Sequence, residues 1–439
     1  MHKTLCAAAV AVLLAACGGG GPAQPVDIPA AESGRKAPAN SEPTLAAEPA
    51  SLVNTATSGD QSLRAASALD DGGWAVSWLS TDNAIHVQRY DAAGAKAGSE
   101  TVMQPVVVPG STVVSNSAAA AVLAGGDVVV AYIRRGDIQP DATTASGVYA
   151  QRFDAGGLPA GPEIALATRT QREGSRTPYF SNVQLAPLSD GGFVAGWADM
   201  SVSPALAPSN RVYVARFDAQ GQVASPSTQA GTTANWYAVT ADAEAGYTVT
   251  LFPVDAQFTP QIAAVHYDAG NTAANVVSVQ PGTALVLLPL AGGGYVAYAQ
   301  DGGGAYRQML DAQGQPASPR EAVASMPFAA IELAGGQYAV FWQDANGVTA
   351  QEYSAGGAPV GNAVQTAAKD ATTRAAALAE GGAVLAWSAV GASGDMDVFA
   401  QRLTEVLTPG EQARRKTCRE QSKQLPGKDR RAFVIACLK

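Results

Sequence analysis

The chain has 439 residues, of which 15% are charged, with 46 glycines, 26 prolines and a formal net charge of −9. That balance suits many short strands joined by tight turns and leaves little room for long surface helices. The acidic total speaks against a nucleic-acid partner, which calls for a basic surface.

At the start of the chain, His2 and Lys3 form a short positive region. Leu5 to Leu14 is an apolar run too short to span a bilayer comfortably, and Leu14-Ala15-Ala16-Cys17 is a small-residue cleavage site. Together they resemble a bacterial lipoprotein signal. The resemblance implies a signal peptide over residues 1–16, cleavage before Cys17, and a diacylglycerol on the Cys17 thiol. Multiple acyl chains would hold the protein stably at a membrane, where one chain binds only marginally. Gly18 after the cysteine fits outer-membrane sorting in that pattern. The alternative is an ordinary secretory signal with an incidental cysteine.

Residues 17–50 are rich in Gly, Pro and Ala with scattered charge and no apolar period, so they read as a lipidated flexible tether. A repeat then runs over 51–408. Leu69 to Gly98 shows its form: a Gly-Gly turn, an apolar run ending on an aromatic, a loop, a run ending Arg-aromatic-Asp, and an Asp-Ala-x-Gly turn. The Gly-Gly signal returns near 126, 192, 293, 336 and 382, with a degenerate copy at Ala245-Gly246, a mean spacing of about 51 residues. An aromatic follows each time: Trp78, Tyr132, Trp197, Phe252, Tyr298, Trp342 and Trp387. Apolar runs such as AVSW and VLAW read as strands packed on both faces. The aspartates Asp91, Asp154, Asp218, Asp268 and Asp311 suit tight turns, with Asp accepting from backbone N–H and Gly taking positive φ.

With a strand before each Gly-Gly and one after each Asp-Ala-x-Gly, each copy holds about four strands, the content of a propeller blade. The pattern resembles the repeats of secreted bacterial β-propeller proteins. That resemblance implies an all-β, seven-bladed propeller of four-stranded blades and nothing about activity. A solenoid of stacked sheets is the alternative. Ser51 to Thr57 reads as the outer strand that the last copy lacks, so pairing the two would close the ring.

From 411 to 439 the chain turns basic, with nine Lys or Arg against three acids. Glu411 to Gln424 and Asp429 to Leu438 read as two short helices with Asp429 as N-cap. In an oxidising compartment Cys418 and Cys437 should pair and staple them; a two-cysteine metal site would lack further ligands nearby. Cys418, Gly427, Asp429, Arg430, Arg431, Phe433, Cys437, Leu438 and Lys439 resemble, in order, the PsiF repeat of phosphate-starvation-inducible periplasmic proteins. The resemblance names a module without supplying chemistry.

No G-x-S-x-G, H-E-x-x-H, P-loop or dinucleotide fingerprint occurs, and His86 and His266 stand in different copies, where isolated surface imidazoles are expected. No cofactor or metal is expected. The long connections gather Arg134, Arg135, Arg169, Arg172 and Arg176 beside Tyr179 and Phe180, a candidate patch for an anionic partner on an acidic domain. The expectation is a monomeric, non-catalytic binding or scaffold lipoprotein, anchored in the envelope at the outer membrane. Its partner would be an envelope protein or an anionic glycan. The alternative is a hydrolase or lyase acting on a polysaccharide or cell-wall fragment through carboxylates facing across a central channel.

Overall fold

The computed structural model describes residues 44–422 except 106–110, 115–116, 137–145, 170–178, 201–209, 234–235, 243, 256, 258, 334–335, 370–371, 380 and 408; beyond 422 it describes Leu425, Phe433 and Cys437. Seven antiparallel sheets follow one another along the chain, most of four strands, so the seven-bladed propeller read from the repeat is the fold observed. Blade 1 holds Ser62–Ala68, Trp74–Leu79, Ile85–Tyr90 and Thr101–Met103 from the inside outward. Blades 3 to 6 repeat this order, with inner strands Tyr179–Pro187, Tyr237–Ala241, Ala284–Pro289 and Ala329–Glu332. In blade 2 the inner position is shared by Ser111–Val113 and Ala119–Val122, which both pair with Val128–Gly136.

The repeated turn has two separate physical demands. Its first glycine adopts positive φ, as Gly72, Gly191 and Gly381 do, and in blade 4 Ala245 is held at φ 62 instead. In blades 1, 3, 5 and 7 the second has no room for a side chain: a Cβ at Gly73, Gly192, Gly294 or Gly382 would lie 2.1–2.4 Å from a carbonyl oxygen of the third strand. The closing hydrogen bond from the leucine before the turn runs to Gly73, Asp127, Gly192, Gly294, Gln337 and Gly382. Asp127 and Gln337 therefore hold the second position in blades 2 and 6, one residue beyond the glycine that marks the repeat in sequence. The Asp-Ala-x-Gly turns behave as expected. The Asp91 carboxylate accepts the Ala95 N–H at 2.9 Å, and Asp218 accepts those of Gln220 and Gln222 at 2.9 and 2.8 Å.

The motif side chains join blades as well as strands. Trp74 stacks on Tyr90, Phe193 on Phe217, Tyr247 on Tyr267 and Tyr338 on Tyr353, so the Arg-aromatic-Asp aromatic covers the first residue after the turn. The arginine before it reaches into the next blade: Arg216 donates to the Ala245 carbonyl at 2.7 Å and Arg89 to that of Gly126; in blade 5 Arg307, three residues before Leu310, donates to the Gly357 carbonyl at 2.6 Å. Among the described residues the buried apolar side chains form seven clusters, and each spans two neighbouring blades, including blades 7 and 1. No blade interface is left open, which is the packing of a closed ring.

Closure comes from the start of the domain. Leu45–Ala47 and Ser51–Leu52 both pair with Met396–Glu405, the third strand of blade 7, and together supply its outer edge. The pairing expected of Ser51 to Thr57 begins at Leu45, six residues before Ser51 and inside the stretch read as tether. A lone Leu45 among alanines shows no strand period, yet it is 2% exposed between blades 6 and 7. Asn54 locks the seam, donating to the Asp397 carboxylate and accepting the Val398 N–H, both at 2.7 Å.

After the ring, Pro409–Ser422 is an α-helix, and Cys418 is bonded to Cys437 with Cα atoms 5.8 Å apart. Most of the second expected helix, from Asp429 to Leu438, lies outside the described residues; Phe433 and Cys437 are helical. Closing a loop of this size stabilises by about 3 kcal/mol in the chain-entropy model.

The seam gives a direct test. Asn54 and Asp397 are each 2% exposed, so Asn54→Ala strands a buried carboxylate and should destabilise the domain by about 1–3 kcal/mol. Urea unfolding followed by tryptophan fluorescence would measure it, and an unchanged midpoint would remove Asn54 from the closure.

Candidate functional site

The inner strands surround a central channel of about 1040 Å³. Seven strand edges converge on one axis, so the wall is built largely of small residues such as Ala66, Ala119, Ala238, Ala330 and Ala376. Four charged side chains line it among the described residues: Arg64, Asp242, Glu332 and Arg374.

The charges separate by end. The blades are copies of one unit, so their inner strands run the same way along the axis. Arg64 lies near the start of Ser62–Ala68, and Arg374 opens Arg374–Ala377. Glu332 ends Ala329–Glu332, and Asp242 directly follows Tyr237–Ala241. One mouth is therefore basic and the other acidic. By topology the basic mouth opens on the face that carries the connections between blades and between second and third strands. The acidic mouth opens on the face of the Gly-Gly turns.

The acids are engaged within the fold. Glu332 accepts the Ala291 N–H through both oxygens, at 3.0 and 3.1 Å, and so ties blade 6 to blade 5. Asp242 stands where the other six blades place a leucine that opens the turn, such as Leu69 or Leu188. Its carboxylate accepts the Glu244 and Gly246 N–H groups at 2.8 and 2.7 Å and lies 2.9 Å from Nε2 of His266. Burial pushes the Asp242 carboxyl up, but the bonds from His266 and the two N–H groups outweigh it and hold the group below the usual aspartate range. Asp242, Glu244, His266 and Tyr295 line a side recess of about 150 Å³. There burial, followed by the Asp242 and Glu244 charges, pushes the Tyr295 hydroxyl up to about 12.

The histidines are not the isolated surface imidazoles expected from sequence. His86 Nδ1 lies 2.5 Å from the Glu100 carboxylate, which also accepts the N–H and hydroxyl of Thr55 at 3.0 and 2.7 Å. Both imidazoles join segments of the fold. No group of three or more His, Cys, Asp or Glu side chains suited to a metal occurs among the described residues.

The arginine patch resolves only in part. Arg134 is buried, forms a two-pronged ion pair with Glu163 at 2.7 and 3.0 Å, and lies over the Tyr149 ring at 3.8 Å. Phe180 is 3% exposed and packs with Trp197 between blades 2 and 3. Both therefore serve the blade wall rather than a surface, because an alternating strand buries residues that a loop reading would expose. Arg135 is half-buried near the end of Val128–Gly136. Arg172 and Arg176 lie outside the described residues, as do the side chains of Arg169 and Tyr179 and the whole of Cys17.

No family model matches the chain, and no curated protein matches it. Solved structures do. BBS1N in complex with ARL6DN matches at 13% identity over 84% of this chain and 98% of its own, with a TM-score of 0.48. A protein of unknown function from Dyadobacter fermentans matches at 13% identity over 68% of this chain and 100% of its own, with a TM-score of 0.41. The Hadza microbial sialidase Hz136 matches at 10% identity over 75% of this chain and 74% of its own, with a TM-score of 0.43. Likeness at this level carries no argument about activity.

The Asp242 geometry predicts an acid response. A carboxyl whose value is depressed by folding adds stability above the unfolded aspartate value of about 3.9 and loses it as the pH falls below that. Asp242→Asn should therefore shrink the drop in urea midpoint between neutral and strongly acidic buffer. An equal drop in variant and parent would show that Asp242 does not contribute to the acid limb.

Proposed function

We propose that the protein is a lipid-anchored, non-catalytic binding platform of the cell envelope. In this reading Cys17 carries the anchor, residues following it act as tether, and the propeller engages an envelope protein or anionic glycan on the face of its blade connections. The Leu14-Ala15-Ala16-Cys17 sequence supports the anchor.

The observation that carries the binding reading is Trp236. The other tryptophans are buried or half-buried, whereas Trp236 is 49% exposed. It precedes the inner strand of blade 4 and so lines the channel at its basic mouth. The indole is not loose: it stacks on Phe252 with ring centroids 4.2 Å apart, and the Trp236 backbone carbonyl accepts the Thr233 hydroxyl at 2.5 Å. A large apolar ring held rigid in water loses little entropy when a partner covers it, the property that enriches tryptophan at interaction sites. The small residues of the wall leave a partner room to approach it.

Two measurements test this. Cys17→Ser should move the protein from the detergent phase to the aqueous phase on partitioning. Trp236→Ala, made in the full-length anchored protein, should keep the melting temperature and lose most capture of the partner from envelope extract. Retention of the wild-type captured set would place binding elsewhere.

A further inference from the structure

Arg64 and Arg374 come from inner strands that touch across the boundary between blades 1 and 7. A register shift between Leu63 and Ala65 makes Arg64 an extra residue in its strand. Arg374 pairs with Ala386, the step at which Ala65 pairs with Ser77 in blade 1, so the two guanidinium-bearing residues stand at one level of the channel. At that level the other blades present Ala119, Gln184, Ala238, Val286 and Ala329, and Gln184 is tied to the Tyr237 carbonyl and the Val239 N–H.

Neither arginine forms an ion pair with a described carboxylate. Arg64 donates to the Ser62 hydroxyl at 2.8 Å and weakly to the Leu63 carbonyl at 3.4 Å, while its Nε is buried without a partner. Arg374 donates to the Thr372 and Thr373 carbonyls at 3.0 and 3.4 Å. These acceptors are neutral. They orient the side chains and leave both charges uncompensated, unlike Arg134, Arg216 and Arg307, each of which has a carboxylate. Arg64 is half-buried and Arg374 exposed to the channel; partial desolvation by the wall holds both below the usual arginine range, and for Arg64 the Arg374 charge adds to it. Two like charges at one level of the channel repel each other, even where water partly screens them, unless an anion joins them.

We propose that Arg64 and Arg374 form a binding site for an oxyanion, the carboxylate or phosphate group of a small ligand entering the channel by its basic mouth. Guanidinium groups keep their charge at any relevant pH and match both groups with parallel N–H donors. The site rests on the reading of this mouth as the binding face and names the chemistry it would recognise. Arg64 Nε supplies a donor that the fold itself does not use, and the alanine wall leaves space for the body of the ligand.

Isothermal titration calorimetry on the full-length lipidated protein in detergent, with chloride-free buffer, would test the site. Inorganic phosphate and D-glucuronate serve as anions and D-glucose as the neutral control. Saturable heat with either anion and none with glucose is expected; phosphate alone would identify a phosphate site and glucuronate alone a carboxylate site. Arg64→Gln and Arg374→Gln should each weaken binding about tenfold or more, as loss of a charged hydrogen-bonding partner implies. Arg320→Gln, on the outer face, should not. Without anion, Arg374→Gln should melt at or above the wild-type temperature, because it relieves the repulsion, whereas a structural arginine would lower it. Absence of saturable heat with both anions, unchanged affinity in Arg374→Gln, or a lowered melting temperature in that variant would overturn the proposal. Should Arg64→Gln fail to fold, Arg374→Gln decides alone. Partner capture unaffected by Trp236→Ala, with anion binding still dependent on both arginines, would sink the platform reading and leave the anion site standing.

Discussion

The constraint on which the domain depends is that a blade is apolar on both faces and can hide them only against its neighbours. Six of the interfaces follow from chain order, since each blade is laid down beside the one before it. The seventh does not. Blade 7 meets blade 1 through Trp74, Trp78, Val384 and Val398, and Val53 fills the same cluster from the strand pair that starts the domain. The segment that supplies the outer edge of blade 7 thus also plugs the last interface. Its hydrogen bonds, from Glu48 N–H to Arg402 and from Val53 N–H to Val398 at 2.9 and 2.8 Å, tie the two ends of the ring together. The same pairing covers a sheet edge that would otherwise present free backbone groups.

Blade number, strand content and turn positions were legible because they rest on local demands repeated seven times. Positive φ selects glycine, collision with a carbonyl selects a second glycine, and an Asp side chain closes the other turn. What could mislead was the register. In blades 2 and 6 the visible glycine pair ends one residue before the position that is glycine in the other blades, so glycine spacing alone misplaces Asp127 and Gln337. Leucine was the steadier marker, as Leu69, Leu123, Leu188, Leu290, Leu333 and Leu378 all open the turn. Its replacement by Asp242 in blade 4 would have singled out that residue and led to His266.

The proposed binding surface was much less legible, for a physical reason. A guanidinium is informative only with its surroundings, and the sequence lists arginines without their counter-ions. Five arginines close together in the chain suggested a patch, but Arg134 proves to be matched by Glu163, from the far side of its own hairpin. Arg64 and Arg374 are separated by most of the domain and come together only because the ring closes. Phe180 failed as a surface residue for a related reason: its strand begins earlier than the loop reading allowed, and alternation then turns it inward.

The placement of Arg64 and Arg374 also bears on why a repeat can acquire a site at all. An inner strand tolerates few large side chains, since any that point along the axis crowd those of the other blades. A pair of arginines is accommodated at one level because the matched positions of four other blades carry Ala119, Ala238, Val286 and Ala329, and because the bulge at Arg64 offsets one from the other. Identical blades could not produce this arrangement, for seven guanidiniums on one ring would repel one another beyond what any ligand could offset. Asymmetry is therefore the informative signal in a propeller: positions where one or two copies break the shared pattern at the axis, as Arg64, Arg374 and Trp236 do, are where the proposed reading places recognition.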